Sequence, residues 1–225
     1  MKIIAEIPAR AGSQRVKNKN MRPLNGRPMI SYAIEAAKAS NMFSSVFVNT
    51  DSDEIGEYGK SLGVEYYKRP HHLASDTATS EDYNYDFIKH SGADVLVQVN
   101  PVNPFVTKNL IDETVKHFLE TDSDSLITVR EERFQAFFDG SAVNFNIENP
   151  LPRTQDLIPI QLCAWPVTIW RTSTFIESYE KRGHAVFSGK LTLYPISFLA
   201  GIKISYEEDF NLAEQLMPLM EKGNN

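Results

Sequence analysis

One short stretch concentrates residue types that bind phosphate: Ile7-Pro8-Ala9-Arg10-Ala11-Gly12-Ser13-Gln14-Arg15-Val16-Lys17-Asn18-Lys19-Asn20. Four cations, Arg10, Arg15, Lys17 and Lys19, fall inside it. A triphosphate needs backbone N–H groups close to its oxygens and positive charge around its outer phosphates. Gly12 and Ser13 let the main chain approach, while the basic side chains supply the charge. A solvated basic turn would have the same composition, but an acidic protein gains little from stacking cations at one point. The spacing matches neither the Gly-x-x-x-x-Gly-Lys-Ser/Thr of a P-loop nor the Gly-x-Gly-x-x-Gly of a dinucleotide fold, and both classes recede.

Such a loop needs a frame. Apolar runs of strand length fall at Ile3 to Ile7, Ser45 to Asn49, Val64 to Tyr67, Asp94 to Val99 and Ser125 to Val129. Between them, apolar residues recur at helical spacing through Met29 to Ala39, Asp53 to Leu62, Thr79 to His90 and Lys108 to Glu120. This alternation predicts an α/β fold, a Rossmann-like doubly wound and mostly parallel sheet, with ligands at the C-terminal ends of its strands. The basic loop follows the first strand at that end. From Glu131 to Pro159 the alternation stops, and Phe134, Phe137, Phe138 and Phe145 are interspersed with Gly140, Asn149, Pro150 and Pro152. We read this as an inserted β-rich arm and loop. Beyond it we expect a strand near Val167 to Trp170, a helix from Thr172 to Arg182, strands at Leu191 to Tyr194 and Gly201 to Ser205, and a closing helix from Glu207 to Met220.

The chain of 225 residues, 42% hydrophobic, is long enough for one domain spanning 1–225, with the arm at 131–159 inside it. A formal net charge of -6 argues against nucleic acid and anionic membrane as partners, since both reward excess Lys and Arg. Cys163 is the single cysteine, so neither an intrachain disulfide nor a zinc cluster can form. We expect it to be a small buried hydrophobe. With no apolar run of membrane length and no signal-like start, the expected compartment is the cytoplasm.

The basic loop resembles the Ile-Pro-Ala-Arg-x-Gly-Ser-x-Arg-x-x-x-Lys-Asn signature of the acylneuraminate (CMP-sialic acid) cytidylyltransferases. The likeness continues in Asn49-Thr50-Asp51-Ser52-Asp53-Glu54-Ile55, in Arg69-Pro70, and in Leu73-Ala74-Ser75-Asp76-Thr77-Ala78-Thr79. The resemblance implies a sheet of the nucleotide-diphospho-sugar transferase type. It implies CTP as donor, a small acidic acceptor such as an α-keto acid sugar, Mg²⁺ as cofactor, and a homodimer joined through the inserted arm. By the same resemblance Arg10 and Lys19 are catalytic, holding the triphosphate. Ala9, Gly12, Ser13, Arg15 and Asn20 bind the nucleotide with them, and Arg69, Ala74, Ser75, Asp76 and Thr77 lie at its base and ribose. Without the resemblance, Ser75-Asp76-Thr77 reads as an ordinary helix start, and Asp51 and Asp53 as residues opening the second helix.

Other motifs depart from the pattern. Where the family has Leu-Gln-Pro-Thr-Ser-Pro-Leu-Arg, this chain has Val99-Asn100-Pro101-Val102-Asn103-Pro104-Phe105-Val106, which leaves Asn100 and Asn103 as acceptor-binding candidates. Arg153 and Gln155, in a segment like the family's Arg-Arg-Gln-Asp-Leu, are further acceptor candidates. Trp165 and Pro166 stand where an Asn-Gly pair is usual. Near the C-terminus the family's Asp-Ile-Asp-x-x-x-Asp-Leu becomes Lys203-Ile204-Ser205-Tyr206-Glu207-Glu208-Asp209-Phe210. Its first two aspartates are expected metal ligands. Lys203 and Ser205 therefore mark a phosphate site or an altered metal site, and Asp209, the remaining carboxylate, reads first as a helix cap and only then as a metal ligand. His71-His72 reads as a surface loop, and His90, His117 and His184 have no partner nearby in sequence.

Overall fold

The first strand, β1 (Ile3–Pro8), is apolar on both faces apart from Glu6, as a parallel strand covered by helices on each side must be. Its structure, a computed structural model, describes residues 1–12 and 15–223. A two-residue ribbon of β2 (Pro23–Leu24) and β3 (Arg27–Pro28) follows, and then α1 (Ile30–Ala39), β4 (Ser45–Thr50), α2 (Asp53–Ser61) and β5 (Glu65–Lys68). Next come α3 (Ser80–Ser91), β6 (Val95–Val99), α4 (Lys108–Glu120) and β7 (Ser125–Glu132). The arm carries a minimal hairpin, β8 (Phe137–Phe138) with β9 (Ser141–Ala142), and returns through β10 (Ile160–Arg171). The chain closes with α5 (Thr172–Arg182), β11 (Leu191–Ile196) and α6 (Glu207–Gly223).

Among the described residues the main sheet has seven strands in the order β11-β7-β10-β6-β1-β4-β5. All run parallel except β10, which is antiparallel to both β6 and β7. Alternate residues of β1 serve opposite faces. Ile3, Ala5 and Ile7 pack with Ile30, Ile34, Ile111 and Val115 of α1 and α4, whereas Ile4 packs with Phe87 of α3 and Phe175 of α5. A third apolar cluster lies at the ligand edge and joins Val16 of the basic loop to Ile202, Ile204 and Phe210. Local signals fix the helix starts. The Ser52 side chain caps α2, a reciprocal box between Thr79 and Asp82 caps α3, and Thr107 caps α4.

Several expectations are corrected. Residues 201–205 form no strand: the segment lies extended, with Ile202 and Ile204 buried and Ile204 N–H donating to the Val102 carbonyl at 2.8 Å. The arm is mostly irregular rather than β-rich, because its prolines and polar residues leave little backbone to pair. The strand expected from Val167 begins at Ile160, since its first residues pair with the extension of β7. Cys163 is exposed on that extension and not buried.

Candidate functional site

The basic loop is fixed at both ends by hydrogen bonds. Ala9, buried, donates its N–H to the Asn49 carbonyl at 3.0 Å, which sets the direction in which the chain leaves the sheet. Ala11 N–H donates to the Asp51 carboxylate at 3.1 Å, so Asp51 holds the loop and Ser52 caps α2. At the far end, Asn20 Nδ2 donates to the Arg10 carbonyl at 3.2 Å and closes the loop on itself. Asn20 Oδ1 is buried without a protein partner. A Cβ placed on Gly12 would meet nothing within 4 Å, so open space lies in front of that residue. Ser13 lies outside the described residues.

Arg10, Arg15, Lys19 and Asn20 line one crevice with Pro8, Val16 and Val102. Lys19 Nζ donates to the Ile204 carbonyl at 2.8 Å. Burial, then the like charges of Arg15, Lys203 and Arg10, hold its pKa down at about 8, against the opposing pull of Asp209. A triphosphate entering here would offset repulsion already built into the protein. Arg15 lies over the Tyr206 ring at 5.1 Å, and Arg22 pairs with Glu207 at 2.6 Å, tying this region to the start of α6.

Pro8 and Arg10 also line a second opening, so the two adjoin through these residues. Arg10 Nη1 donates to the Ser75 carbonyl at 3.3 Å and pairs with Asp76 at 3.0 Å, which brings the 75–76 turn to the loop. Arg69, Ala74, Ser75, Asp76 and Tyr83 line this second opening. Thr77 is exposed beside it, its hydroxyl 3.2 Å from that of Ser75. Thr79 takes the capping role, which leaves Ser75 to Thr77 in the turn before the helix.

Beneath the second opening is a buried polar floor absent from our sequence reading. Arg69 donates to Asn49 Oδ1 at 3.0 Å and to the Asn49 carbonyl at 2.8 Å, and its guanidinium lies 4.0 Å from the Tyr83 ring centre. Asn49 donates in turn to Glu6. Burial raises the Glu6 pKa to about 7, against the lowering effects of Arg69, Asn49 and Gln98. Gln98 Nε2 donates to Asn84 Oδ1 at 2.9 Å. The signal was present: a glutamate in the middle of an apolar parallel strand is rare unless something polar meets it.

The acceptor candidates do not all converge. Asn100 lies at the end of β6, where its N–H donates to the Pro166 carbonyl at 2.9 Å. Asn103 is fully buried, and its amide donates to the carbonyls of Ala164 and Ile202 at 3.4 and 3.1 Å. The amide thus joins the β6 loop to its neighbours, while Asn103 Oδ1 is buried without a hydrogen-bond partner. Arg153 and Gln155 stand exposed in the arm, with Arg153 paired to Asp156 at 2.7 Å, and line neither opening of the crevice. Trp165 has φ 70°, a left-handed conformation that suits Asn or Gly far better than an aromatic residue. Its ring centre is 6.2 Å from that of Phe187.

Asp209 Oδ2 accepts the N–H groups of Ser205 and Tyr206, each at 2.8 Å, and so caps α6. Among the described residues no three His, Cys, Asp or Glu side chains form a metal-holding group. Mg²⁺ favours carboxylate oxygens, whereas Lys203 and Ser205, which the resemblance sets at metal-ligand positions, offer an ammonium and a hydroxyl. These residues do not fit a protein-held Mg²⁺.

A family model described as Cytidylyltransferase matches residues 4–165. The N-acylneuraminate cytidylyltransferase of Escherichia coli O18:K1:H7 (strain RS218 / NMEC) is 41% identical over 120 residues, 51% of this chain and 28% of that protein. N-acylneuraminate cytidylyltransferase A of Danio rerio is 30% identical across 95% of this chain and 50% of its own length. The chain therefore spans half or less of these two relatives. Post-translational flagellin modification protein B of Campylobacter coli is 29% identical across 96% of this chain and 94% of its own. A structure of CMP:2-keto-3-deoxy-manno-octonic acid synthetase complexed with CTP has the same fold, with a TM-score of 0.74, 14% identity, and coverage of 98% of this chain and 100% of that one. With the match running from the first strand to the bulge in β10, the chain belongs to the cytidylyltransferase family.

Proposed function

We propose that the protein transfers CMP from CTP to an acidic acceptor, an α-keto acid sugar of the sialic acid type, and releases pyrophosphate. The observation that carries this reading is a pair of adjoining openings that share Pro8 and Arg10, one lined by Arg15 and Lys19 and the other by Arg69 and Tyr83. The triphosphate lies against the cations and the base against the Arg69 end. An acceptor hydroxyl oxygen then forms a bond to the α phosphorus as the α–β bridging bond breaks. Pyrophosphate leaves with that electron pair, and the hydroxyl proton is released. Lys19 and Arg10 act by charge on the reacting phosphates, and the loop acts by positioning them. In this reading any Mg²⁺ arrives with the nucleotide.

Family membership and the two N-acylneuraminate relatives support the donor and the acceptor class. Pyrophosphate release with CTP, Mg²⁺ or Mn²⁺ and a panel of α-keto acid sugars tests it. Release dependent on one acceptor is expected. The replacement of both family aspartates by Lys203 and Ser205 favours a second reading, a nucleotide-binding protein without turnover, which no release with any acceptor would support.

We further infer a cytoplasmic homodimer. Phe134 of the arm is 66% exposed and lines one apolar opening with Ile160, Leu162 and Phe198, a surface of the kind that marks interfaces, while Phe138 and Ile158 of the arm are also exposed. Among the described residues no helix is long and apolar enough to cross a membrane. Sedimentation at micromolar concentration should give a dimer, and a stable monomer would overturn this assignment.

A further inference from the structure

We propose that Glu6 is a positioning residue for the second opening: through Asn49 it fixes the Arg69 guanidinium in the orientation that meets the nucleoside end of the substrate. This deepens the CTP reading and rests on it. Glu6 is fully buried and lines neither opening, so it acts through another residue. It lies on the same face of β1 as Ile4, the face covered by α3, and beside Gln98 in the register of β6. The Asn49 side chain, also fully buried, donates Nδ2 to the Glu6 carboxyl. Its Oδ1 then lies on the other side and accepts Arg69 Nε at 3.0 Å. An amide has one accepting and one donating side, and the reversed amide would turn Nδ2 onto the guanidinium N–H. The carboxyl opposite Nδ2 settles which way the amide lies.

The second ground is how tightly Arg69 is aimed. The Asn49 carbonyl accepts Arg69 Nη2 at 2.8 Å, and the Tyr83 ring centre lies 4.0 Å from the guanidinium. Two bonds to Asn49 fix the fork within its plane, and the ring fixes the plane itself. With Nε and Nη2 spent on Asn49, the Nη1 edge is left to donate to an acceptor atom of a flat polar ring. Arg69 is only 4% exposed yet lines the opening, so a change of tilt withdraws the little it presents. The third ground is that Asn49 joins both openings. The carbonyl that takes Arg69 Nη2 also takes the Ala9 N–H at 3.0 Å, where the basic loop leaves the sheet. One buried residue thus sets the aim of Arg69 and the departure of the loop that carries Arg10.

Calorimetric titration of the whole chain with CTP and, separately, with tripolyphosphate tests the assignment in wild type, Glu6→Gln, Glu6→Leu and Asn49→Ser. Glutamine keeps an acceptor for Asn49 Nδ2, leucine removes it, and serine breaks the relay one step later. Wild type should bind CTP more tightly than tripolyphosphate. Glu6→Leu and Asn49→Ser should each bind CTP about tenfold more weakly, the size of one hydrogen bond to a charged group, with tripolyphosphate affinity unchanged within about twofold. Glu6→Gln should stay within about threefold of wild type for CTP, since the amide orientation survives. If Glu6→Leu does not fold, Asn49→Ser and Glu6→Gln decide alone. Unchanged CTP affinity in Asn49→Ser would overturn the proposal. So would an equal loss for both ligands, or a Glu6→Gln deficit as large as that of Asn49→Ser, and each of these leaves the CTP reading standing. Wild type that binds neither ligand, or CTP no better than tripolyphosphate, would overturn the CTP reading itself.

Discussion

Two groups of charges sit at the same edge of the sheet and are treated in opposite ways. Under the second opening, Arg69 is buried, bonded twice to Asn49, laid on Tyr83 and faced by Glu6. At the triphosphate end, Arg15 and Lys203 both repel Lys19, and Asp209 is turned to capping. The first group is paired largely within the protein and without ligand, although Glu6 Oε2 has no hydrogen-bond partner. The second becomes favourable only with one. The difference separates residues that shape a pocket from residues that wait for its occupant, although Arg69 and Lys19 are both basic.

The contrast predicts different failures. Arg69→Ala should cost about 3 kcal/mol or more of folding stability by denaturant titration, since it strands Glu6 and two Asn49 acceptors in the interior. An Arg69→Ala protein as stable as wild type would erase the distinction. Lys19→Ala should do the reverse: CTP affinity falls by at least ~1.5 kcal/mol by calorimetry, while the melting temperature of the free protein holds or rises. A loss of stability with unchanged CTP affinity would assign Lys19 to the framework.

Proton linkage sharpens the comparison further. Glu6 has a raised pKa of about 7, so its contribution is fully present below its unfolded value of 4.5 and lost as pH rises through 7. Glu6→Gln should flatten the stability profile between those values. Lys19 is lowered from 10.5 to about 8, so the unfolded chain holds the proton more tightly and stability rises with pH across that window. CTP affinity should fall across the same window, as the ammonium is lost, and Lys19→Met should abolish both trends. The smallest effect is expected at Asp76, whose pair with Arg10 is exposed. Asp76→Asn should change stability by less than ~1 kcal/mol.

Much of this was legible beforehand for definite reasons. The parallel strands showed as apolar runs, and the basic loop stood at the end of the first of them, where the fold places ligands. Glu6 was in plain view, but the groups that meet it, Asn49 of β4, Arg69 just after β5 and Gln98 of β6, are far apart in sequence, and their convergence is a tertiary fact. The two carbonyl partners of Asn103 were not legible, because an amide in a loop offers the same donors to a ligand as to the protein. The segment 201–205 alternates apolar and polar residues like a strand, but its recorded backbone bonds run to Ser197, Phe198, Leu199 and Val102 and form no strand ladder.

The irregularity in β10 has a consequence for the history of the molecule. Ile160 to Cys163 pair regularly with β7, Thr168 to Trp170 pair regularly with it again, and the register shifts between Cys163 and Thr168. That break acts as a slip joint: residues can be gained or lost on the outer side without carrying Thr168, Ile169 or Trp170 onto the wrong face of the sheet. Because β10 runs against its neighbours, the outer side is also the ligand edge. The part of the chain freest to drift in length thus emerges next to the crevice, so new partners can be sampled there while the inner registers stay unchanged.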